Sequence, residues 1–145
     1  MKVLFLSQYL AQEPLGIMYL SGALKAAGHE TRMIFLPDSD FEEKFKEYDP
    51  DVVGFSFTTG IHTAVLGFNK QVKGFKPDVV SIAGGAHVTV VPEFIHEDGI
   101  DAICRGDGEY VIVEFVNRLA NGGDLTSVPS ITYKDKDGLV HANEP

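Results

Sequence analysis

The sequence predicts a single α/β domain built on a doubly wound parallel sheet. Its 145 residues suit one domain. Short apolar segments alternate with stretches whose apolar residues recur at helical spacing, which is the pattern of βαβ units. Glycine or proline separates many of these segments, as at Gly28, Pro50 and Pro77. Parallel strands need right-handed crossover connections, so we expect helices on both faces of the sheet.

Five apolar segments are the predicted strands, at residues 2–7, 29–35, 51–56, 78–82 and 101–104. Five helices follow them, and these are marked by Ile17, Leu20 and Leu24, by Phe41 and Phe45, by Val65, Phe68, Val72 and Phe75, by the short segment 91–96, and by Ile112, Phe115, Val116 and Leu119. This alternation predicts a flavodoxin-like (Rossmann-like) five-stranded parallel sheet in the order 2-1-3-4-5.

The pattern changes near the C-terminus. Segments 130–134 and 139–141 flank residues 135–138, which end in an Asp-Gly turn and predict a β-hairpin. We therefore expect an α/β domain at residues 1–127. The hairpin, within residues 128–145, is expected to lead into a downstream domain.

Composition restricts the partners that we expect. The formal net charge of −9 provides no basic surface for a phosphate backbone, so nucleic acid is not an expected partner. No apolar segment is long enough to cross a bilayer, so we expect no membrane association. The one cysteine, Cys104, falls in an apolar strand and is expected to be a buried, unreactive thiol. A single cysteine excludes a disulfide framework and favours a cytoplasmic location.

Small and polar residues follow the predicted strands, at the edge of the sheet where open α/β folds bind ligands. Glycine there lets a ligand approach the backbone closely. The set comprises Gly16 after strand one; Ser56, Thr58, Thr59, Gly60 and His62 after strand three; Gly84, Gly85 and His87 after strand four; and Arg105, Gly106, Asp107, Gly108 and Glu109 after strand five.

Several common sites of this fold do not fit the sequence. Residues 7–12, after strand one, contain no glycine, which excludes the dinucleotide fingerprint, and no Walker phosphate-binding loop is present. Strand three ends at Ser56, where a response-regulator receiver has its phosphoacceptor aspartate. A flavodoxin has a loop rich in Ser and Thr after strand one, and Ser7 alone is weak support for that interpretation.

The spacing from Ser56-x-Thr58 to Gly84-Gly85 resembles the cobalamin-binding domain of methionine synthase and the corrinoid mutases. In that family the corrin lies over the carboxyl ends of the strands. Its dimethylbenzimidazole tail is threaded beside the sheet, against hydroxyl groups and the glycine pair. That family's first motif, Asp-x-His-x-x-Gly, leaves only Gly16 here, because residues 12–15 are Gln-Glu-Pro-Leu. The resemblance therefore implies cobalamin binding without the usual histidine ligand to cobalt.

A narrower resemblance covers essentially the whole chain. The sequence is similar to the N-terminal domain of cobalamin-dependent radical S-adenosylmethionine enzymes, in which Asp-x-His-x-x-Gly is commonly absent. Five motifs occur in that family's order: Pro-Leu-Gly-x-x-Tyr-Leu at 14–20, Ala-Gly-His-Glu at 27–30, Asp-Val-Val-Gly-x-Ser at 51–56, Gly-Gly-x-His at 84–87 and Arg-Gly-x-Gly-Glu at 105–109.

This resemblance implies a methyltransferase or a cyclase of the anaerobic magnesium-protoporphyrin ester type. S-adenosylmethionine and a [4Fe-4S] cluster would belong to the downstream domain, because one cysteine cannot hold a cluster. The resemblance implies no catalytic residue and no metal ligand in these 145 residues. The residues that it implies for base-off cobalamin are Gly16, Ser56, Thr58, Thr59, Gly60, Gly84, Gly85, His87, Arg105, Gly106 and Glu109.

Alternatives remain open at this point. The domain can instead be a stand-alone corrinoid carrier or cobalamin sensor, or a flavodoxin-like domain with another nucleotide cofactor. The individual residues also have structural interpretations: a tight turn at Gly84-Gly85, helix caps at Ser56 and Thr58, a solvated position for His87, the first helical turn for His62, an ion pair between Arg105 and Glu109, and core positions for Tyr19 and Leu20.

Overall fold

The computed structural model describes residues 1–8 and 14–145. The predicted loop after the first strand lies mostly outside the described residues. The strands are β1 (Lys2–Gln8), β2 (Glu30–Leu36), β3 (Val52–Ser56), β4 (Val80–Gly84), β5 (Ala102–Cys104), β6 (Ile131–Lys134) and β7 (Val140–Ala142). The helices are α1 (Leu15–Ala26), α2 (Phe41–Tyr48), α3 (His62–Phe75), α4 (Ala86–Val90) and α5 (Glu109–Ala120), with a 3₁₀ helix at Pro92–His96.

The first five strands are parallel and lie in the order β2-β1-β3-β4-β5, which confirms the predicted topology. In β1, apolar residues occupy successive positions rather than every second position. Val3 and Leu4 point to opposite faces of the sheet, yet both side chains are fully buried. A central parallel strand is covered on both faces and therefore needs apolar residues at successive positions.

Two hydrophobic clusters cover the two faces of the sheet. One contains Phe45 of α2 and Val72 of α3. The other contains Ile17 of α1 and Phe115 of α5. The helices thus lie on both sides of the sheet as expected, and α1 and α5 share one face.

The C-terminal hairpin is confirmed, and it continues the same sheet. β6 pairs antiparallel with β5, with Ile103 opposite Thr132, and β7 pairs antiparallel with β6. The sequence did not predict this attachment. It gives the backbone groups on the open edge of β5 their hydrogen-bond partners, and it buries Ile131.

The short helix predicted at 91–96 is confirmed as the 3₁₀ helix Pro92–His96, but the sequence did not predict the separate helix α4 before it. The two are divided at Val91 because the residue before a proline disfavours the helical conformation. One local prediction was wrong. Tyr19 is 67% exposed and is not a core residue. Ile17 and Leu24 form the buried stripe of α1, and Tyr19 lies outside it. Within the described part of the chain, no helix has both the length and the apolar character needed to cross a bilayer.

Candidate functional site

A cavity of about 180 Å³ lies at the carboxyl end of the sheet, between the strands β3 and β4 and the helices α1 and α5. Apolar cavities of about 150 Å³ are large enough for a benzene ring. The cavity is therefore large enough to receive an aromatic ring. Six of the predicted binding residues line it, namely Gly16, Ser56, Gly84, Gly85, Gly106 and Glu109.

Glycines keep the sheet side of the cavity open above the ring of Phe5. Gly54 and Ser56 point to the same face of β3, and Ser56 pairs with Gly84 on β4. A Cβ at Gly54 would lie 2.8 Å from Cδ1 of Phe5, so this ring already covers the floor. A Cβ at Gly84 would meet only the carbonyl oxygens of Phe55 and Cys104, each at 3.9 Å. Gly84 therefore leaves open space that a larger side chain would fill.

The walls of the cavity come from the first turns of α1 and α5. A Cβ at Gly16 would lie 3.9 Å from Oγ of Ser56, and one at Gly108 would lie 3.1 Å from Cδ2 of Leu20. The two helices also pack against each other through the cluster that contains Leu24 and Phe115. Glycine at both positions lets them approach the strands and still leave the cavity open.

Polar and apolar residues occupy different depths of the cavity. Phe5, Ile82 and Ile112 line the part farther from the carboxyl edge, and Ile112 lies one turn below the start of α5. Ser56 and Glu109 lie at the mouth, since they end β3 and begin α5. Among the described lining residues there is no lysine or arginine. The cavity thus suits an uncharged aromatic group with a polar atom toward the mouth, and not a phosphate group.

Cys104 also lines the cavity, and this residue is 6% exposed. Burial, with the nearby Glu109 carboxylate, raises the pKa of Cys104 to about 11. The thiol is therefore protonated near neutral pH, in agreement with the predicted buried and unreactive cysteine.

The two glycines of the Gly84-Gly85 pair have different roles. Gly85 has a φ of +94°, and a Cβ there would lie 2.6 Å from the carbonyl oxygen of Phe57. The chain can make this turn only with glycine. Both interpretations of the pair therefore apply, with Gly85 serving the turn and Gly84 lining the cavity.

Thr59 and His87 come together outside the cavity. The Oγ1 of Thr59 lies 3.0 Å from Nδ1 of His87. The His87 ring stacks on His62 at 4.9 Å between centroids and also contacts Phe57 and Phe94, which belong to the cluster on the other face of the sheet. His87 is only 6% exposed, so the interpretation as a solvated residue was wrong. Burial and His62 lower the pKa of His87.

The remaining predicted residues do not line the cavity. Thr58 and Gly60 are exposed in the loop before α3, and His62 is the first residue of that helix, as expected. An Nη2 of Arg105 donates to the backbone oxygen of Asn143 at 3.3 Å. Within the described residues Arg105 forms no ion pair with Glu109, so that interpretation was wrong, and its buried Nε has no hydrogen-bond partner there. The Arg105 guanidinium therefore contacts the backbone that follows β7.

Sequence reasoning missed several lining residues, chiefly Phe5, Gly54, Leu20 and Ile112. Gly54 did carry a signal, because glycine inside an apolar strand often marks a place where another group approaches closely, and here that group is the ring of Phe5. The other three have the pattern of ordinary core residues, and nothing in the sequence separates them from the core.

Comparisons with known proteins identify the family of the chain and the fold that it shares. The B12 binding domain family matches residues 1–116. An uncharacterised methyltransferase from Pyrococcus horikoshii is 34% identical, over 91% of this chain and 30% of its own length. The anaerobic magnesium-protoporphyrin IX monomethyl ester cyclase of Rubrivivax gelatinosus is 36% identical, over 89% of this chain and 25% of its own length.

A solved structure shares the fold. It is the radical S-adenosylmethionine methyltransferase TsrM from Kitasatospora setae with cobalamin and a [4Fe-4S] cluster bound, which superposes with a TM-score of 0.84 at 18% identity. The match covers 99% of this chain and 29% of that one. This chain thus spans between a quarter and a third of the length of these relatives. On the match over residues 1–116, the chain belongs to the B12-binding domain family.

Proposed function

We propose that this domain binds base-off cobalamin and that the dimethylbenzimidazole tail occupies the cavity beside the sheet. The observation that carries the proposal is the apolar cavity of about 180 Å³ that glycines hold open at the carboxyl end of β3 and β4. A benzimidazole is flat, uncharged and mostly apolar. It therefore fits a narrow cavity whose polar groups lie only at the mouth.

The cavity residues have distinct roles in this proposal. Gly16 and Gly84 leave room for the base, and Ser56 offers its hydroxyl to a ring nitrogen. Phe5 and Ile112 supply the apolar contacts farther in. Burial of an aromatic ring among such groups is the main source of affinity.

The exposed predicted residues form the surface beneath the corrin. Thr58, Thr59, Gly60 and Gly106 are all exposed at the carboxyl end of the strands. We assign His87 to positioning, because its Nδ1 contacts the Thr59 hydroxyl. Arg105 and Glu109 flank the loop that carries Gly106. Cobalt, when bound there, supplies organometallic chemistry that side chains cannot provide.

No histidine of this chain is assigned beneath the cobalt. Residues 9–15 contain no histidine, so the chain has no imidazole at the sequence position that usually supplies the lower cobalt ligand. His62 and His87 stack on each other beside Phe57 and Phe94, on the other side of the sheet from the cavity. This placement supports a histidine-free, base-off mode.

We also propose that the chain is the cobalamin domain of a radical S-adenosylmethionine enzyme of the methyltransferase or cyclase type. The printed names of its relatives and the short share of their length that it spans support this. Residues 1–127 would then be the cobalamin domain. The hairpin within 128–145, which extends the sheet of that domain, would lead into a downstream domain with S-adenosylmethionine and a [4Fe-4S] cluster. The single buried cysteine supports a cytoplasmic location.

The natural gene tests this larger proposal. A Cys-x-x-x-Cys-x-x-Cys motif encoded after codon 145 is the expected result. An open reading frame that ends without one would instead favour a stand-alone corrinoid carrier or cobalamin sensor.

Binding itself is tested by optical titration of the purified chain with hydroxocobalamin, cobinamide and flavin mononucleotide. Cobinamide has the corrin but no nucleotide tail. We expect saturable binding of hydroxocobalamin with a base-off spectrum, much weaker binding of cobinamide, and no binding of the flavin. Equal affinity for cobinamide would contradict a tail-binding cavity, and saturable flavin binding would favour the other nucleotide cofactor.

A further inference from the structure

We infer that the cavity selects corrinoids by their lower base, accepting dimethylbenzimidazole and discriminating against adenine. This inference rests on the proposed binding of the tail in the cavity. Membership of the family does not by itself imply a preference for one lower base. The inference is based on the lining of the cavity, in which polar and apolar groups lie at different depths.

The route of the tail decides which edge of the base lies deepest. The nucleotide loop descends from the corrin, so it enters at the mouth beside Ser56 and Glu109. The sugar is attached to the five-membered ring of the base, whether this is a benzimidazole or a purine. The six-membered ring therefore lies farther in, against the side chains of the deep part.

The deep part of the cavity offers side chains without hydrogen-bonding groups. Phe5 is 2% exposed, Ile82 is 3% exposed and Ile112 is 5% exposed. The hydroxyl of Ser56 and the carboxylates of Asp107 and Glu109 lie toward the mouth. The thiol of Cys104 is a weak donor and remains protonated.

The two bases differ at this inner edge. The six-membered ring of dimethylbenzimidazole carries two methyl groups, which match apolar side chains. Adenine carries ring nitrogens and an exocyclic amine there, and these would lose water without gaining partners. A buried polar group without a partner costs about 1–3 kcal/mol, which corresponds to roughly a tenfold to hundredfold loss of affinity. Sites of this kind discriminate through the group that is left unpaired.

The test compares two corrinoids that differ only in the lower base. The dissociation constants of the whole chain are measured by optical titration with cobalamin and with its adenine-tailed analogue. We expect the adenine-tailed form to bind about tenfold to a hundredfold more weakly. Equal affinities, or tighter binding of the adenine form, would overturn the inference and leave the proposed cobalamin binding intact. Failure of both corrinoids to bind the folded chain would contradict the proposed function itself.

Variants at Ile112 provide a second test of this inference. Ile112→Gln places an amide in the deep part of the cavity and should narrow the ratio of the two affinities, whereas the matched apolar change Ile112→Leu should preserve it. Circular dichroism establishes that both variants are folded. A folded Ile112→Gln variant with the wild-type ratio would count against the inference, and the wild-type comparison decides it if this variant does not fold.

Discussion

Replacement of Gly84 by valine separates cofactor binding from folding. The Cβ itself fits, since its nearest neighbours would be two carbonyl oxygens at 3.9 Å, and no positive φ is recorded at Gly84. The two further methyl groups have nowhere to go but the cavity between Ser56 and Cys104. Overpacking of this kind costs about 1–3 kcal/mol, so the affinity for cobalamin should fall about tenfold to a hundredfold.

The stability of the free chain should not fall with this change. Valine is favoured in strands, and it restricts the unfolded chain more than glycine does. Gly84→Ala is the graded control, because it adds only the Cβ that the structure accommodates, and its affinity should lie between those of the wild type and the valine variant. Optical titration with hydroxocobalamin and urea unfolding measure the two quantities. A folded Gly84→Val variant with wild-type affinity would refute the placement of the tail in this cavity.

Gly85, Cys104 and the two stacked histidines provide separate tests. Gly85→Ala should lower the free energy of unfolding by about 1–3 kcal/mol, because φ is +94° and the Cβ meets a carbonyl oxygen at 2.6 Å; wild-type urea stability would contradict this. A pKa of about 11 leaves Cys104 with less thiolate than an ordinary cysteine has. Iodoacetamide should therefore alkylate Cys104 at pH 8 roughly a hundredfold more slowly in the native than in the unfolded chain, and the native rate should rise as the pH approaches 11. Equal rates would show that the thiol is not buried and that its pKa is not raised. His62→Ala and His87→Ala should leave the cobalt(II) electron-paramagnetic-resonance spectrum of bound cobalamin unchanged; loss of a nitrogen coupling in either variant would identify an imidazole ligand.

The parallel sheet was predictable because buried strands have a simple sequence pattern. Segments such as 2–7 and 51–56 are apolar at successive positions, and the stretches between the strands have apolar residues at helical spacing. The order of the strands is the one common to flavodoxin-like sheets. The attachment of β6 to β5 was not predictable, because an antiparallel edge depends on which neighbour lies nearest in space.

The mouth of the site was predictable for a related reason. Ser56, Gly84 and Gly106 follow different strands, and parallel strands bring their carboxyl ends to one edge. The interior of the site was not predictable. Ile112 and Leu20 have the same helical spacing as core residues. A cavity remains beside them because the residues opposite them are glycines, and the spacing does not reveal this. His87 was misjudged because the burial of a histidine depends on the aromatic residues that surround it.

The decisive measurement is a crystal structure of this chain with cobalamin bound. We expect the benzimidazole to be detached from cobalt and to lie between Gly84 and Ile112, with a ring nitrogen near the Ser56 hydroxyl. No histidine side chain should lie beneath the cobalt. A benzimidazole still bound to cobalt, or one placed outside the cavity while Phe5 and Ile112 keep their positions in the free chain, would contradict the proposed placement of the tail.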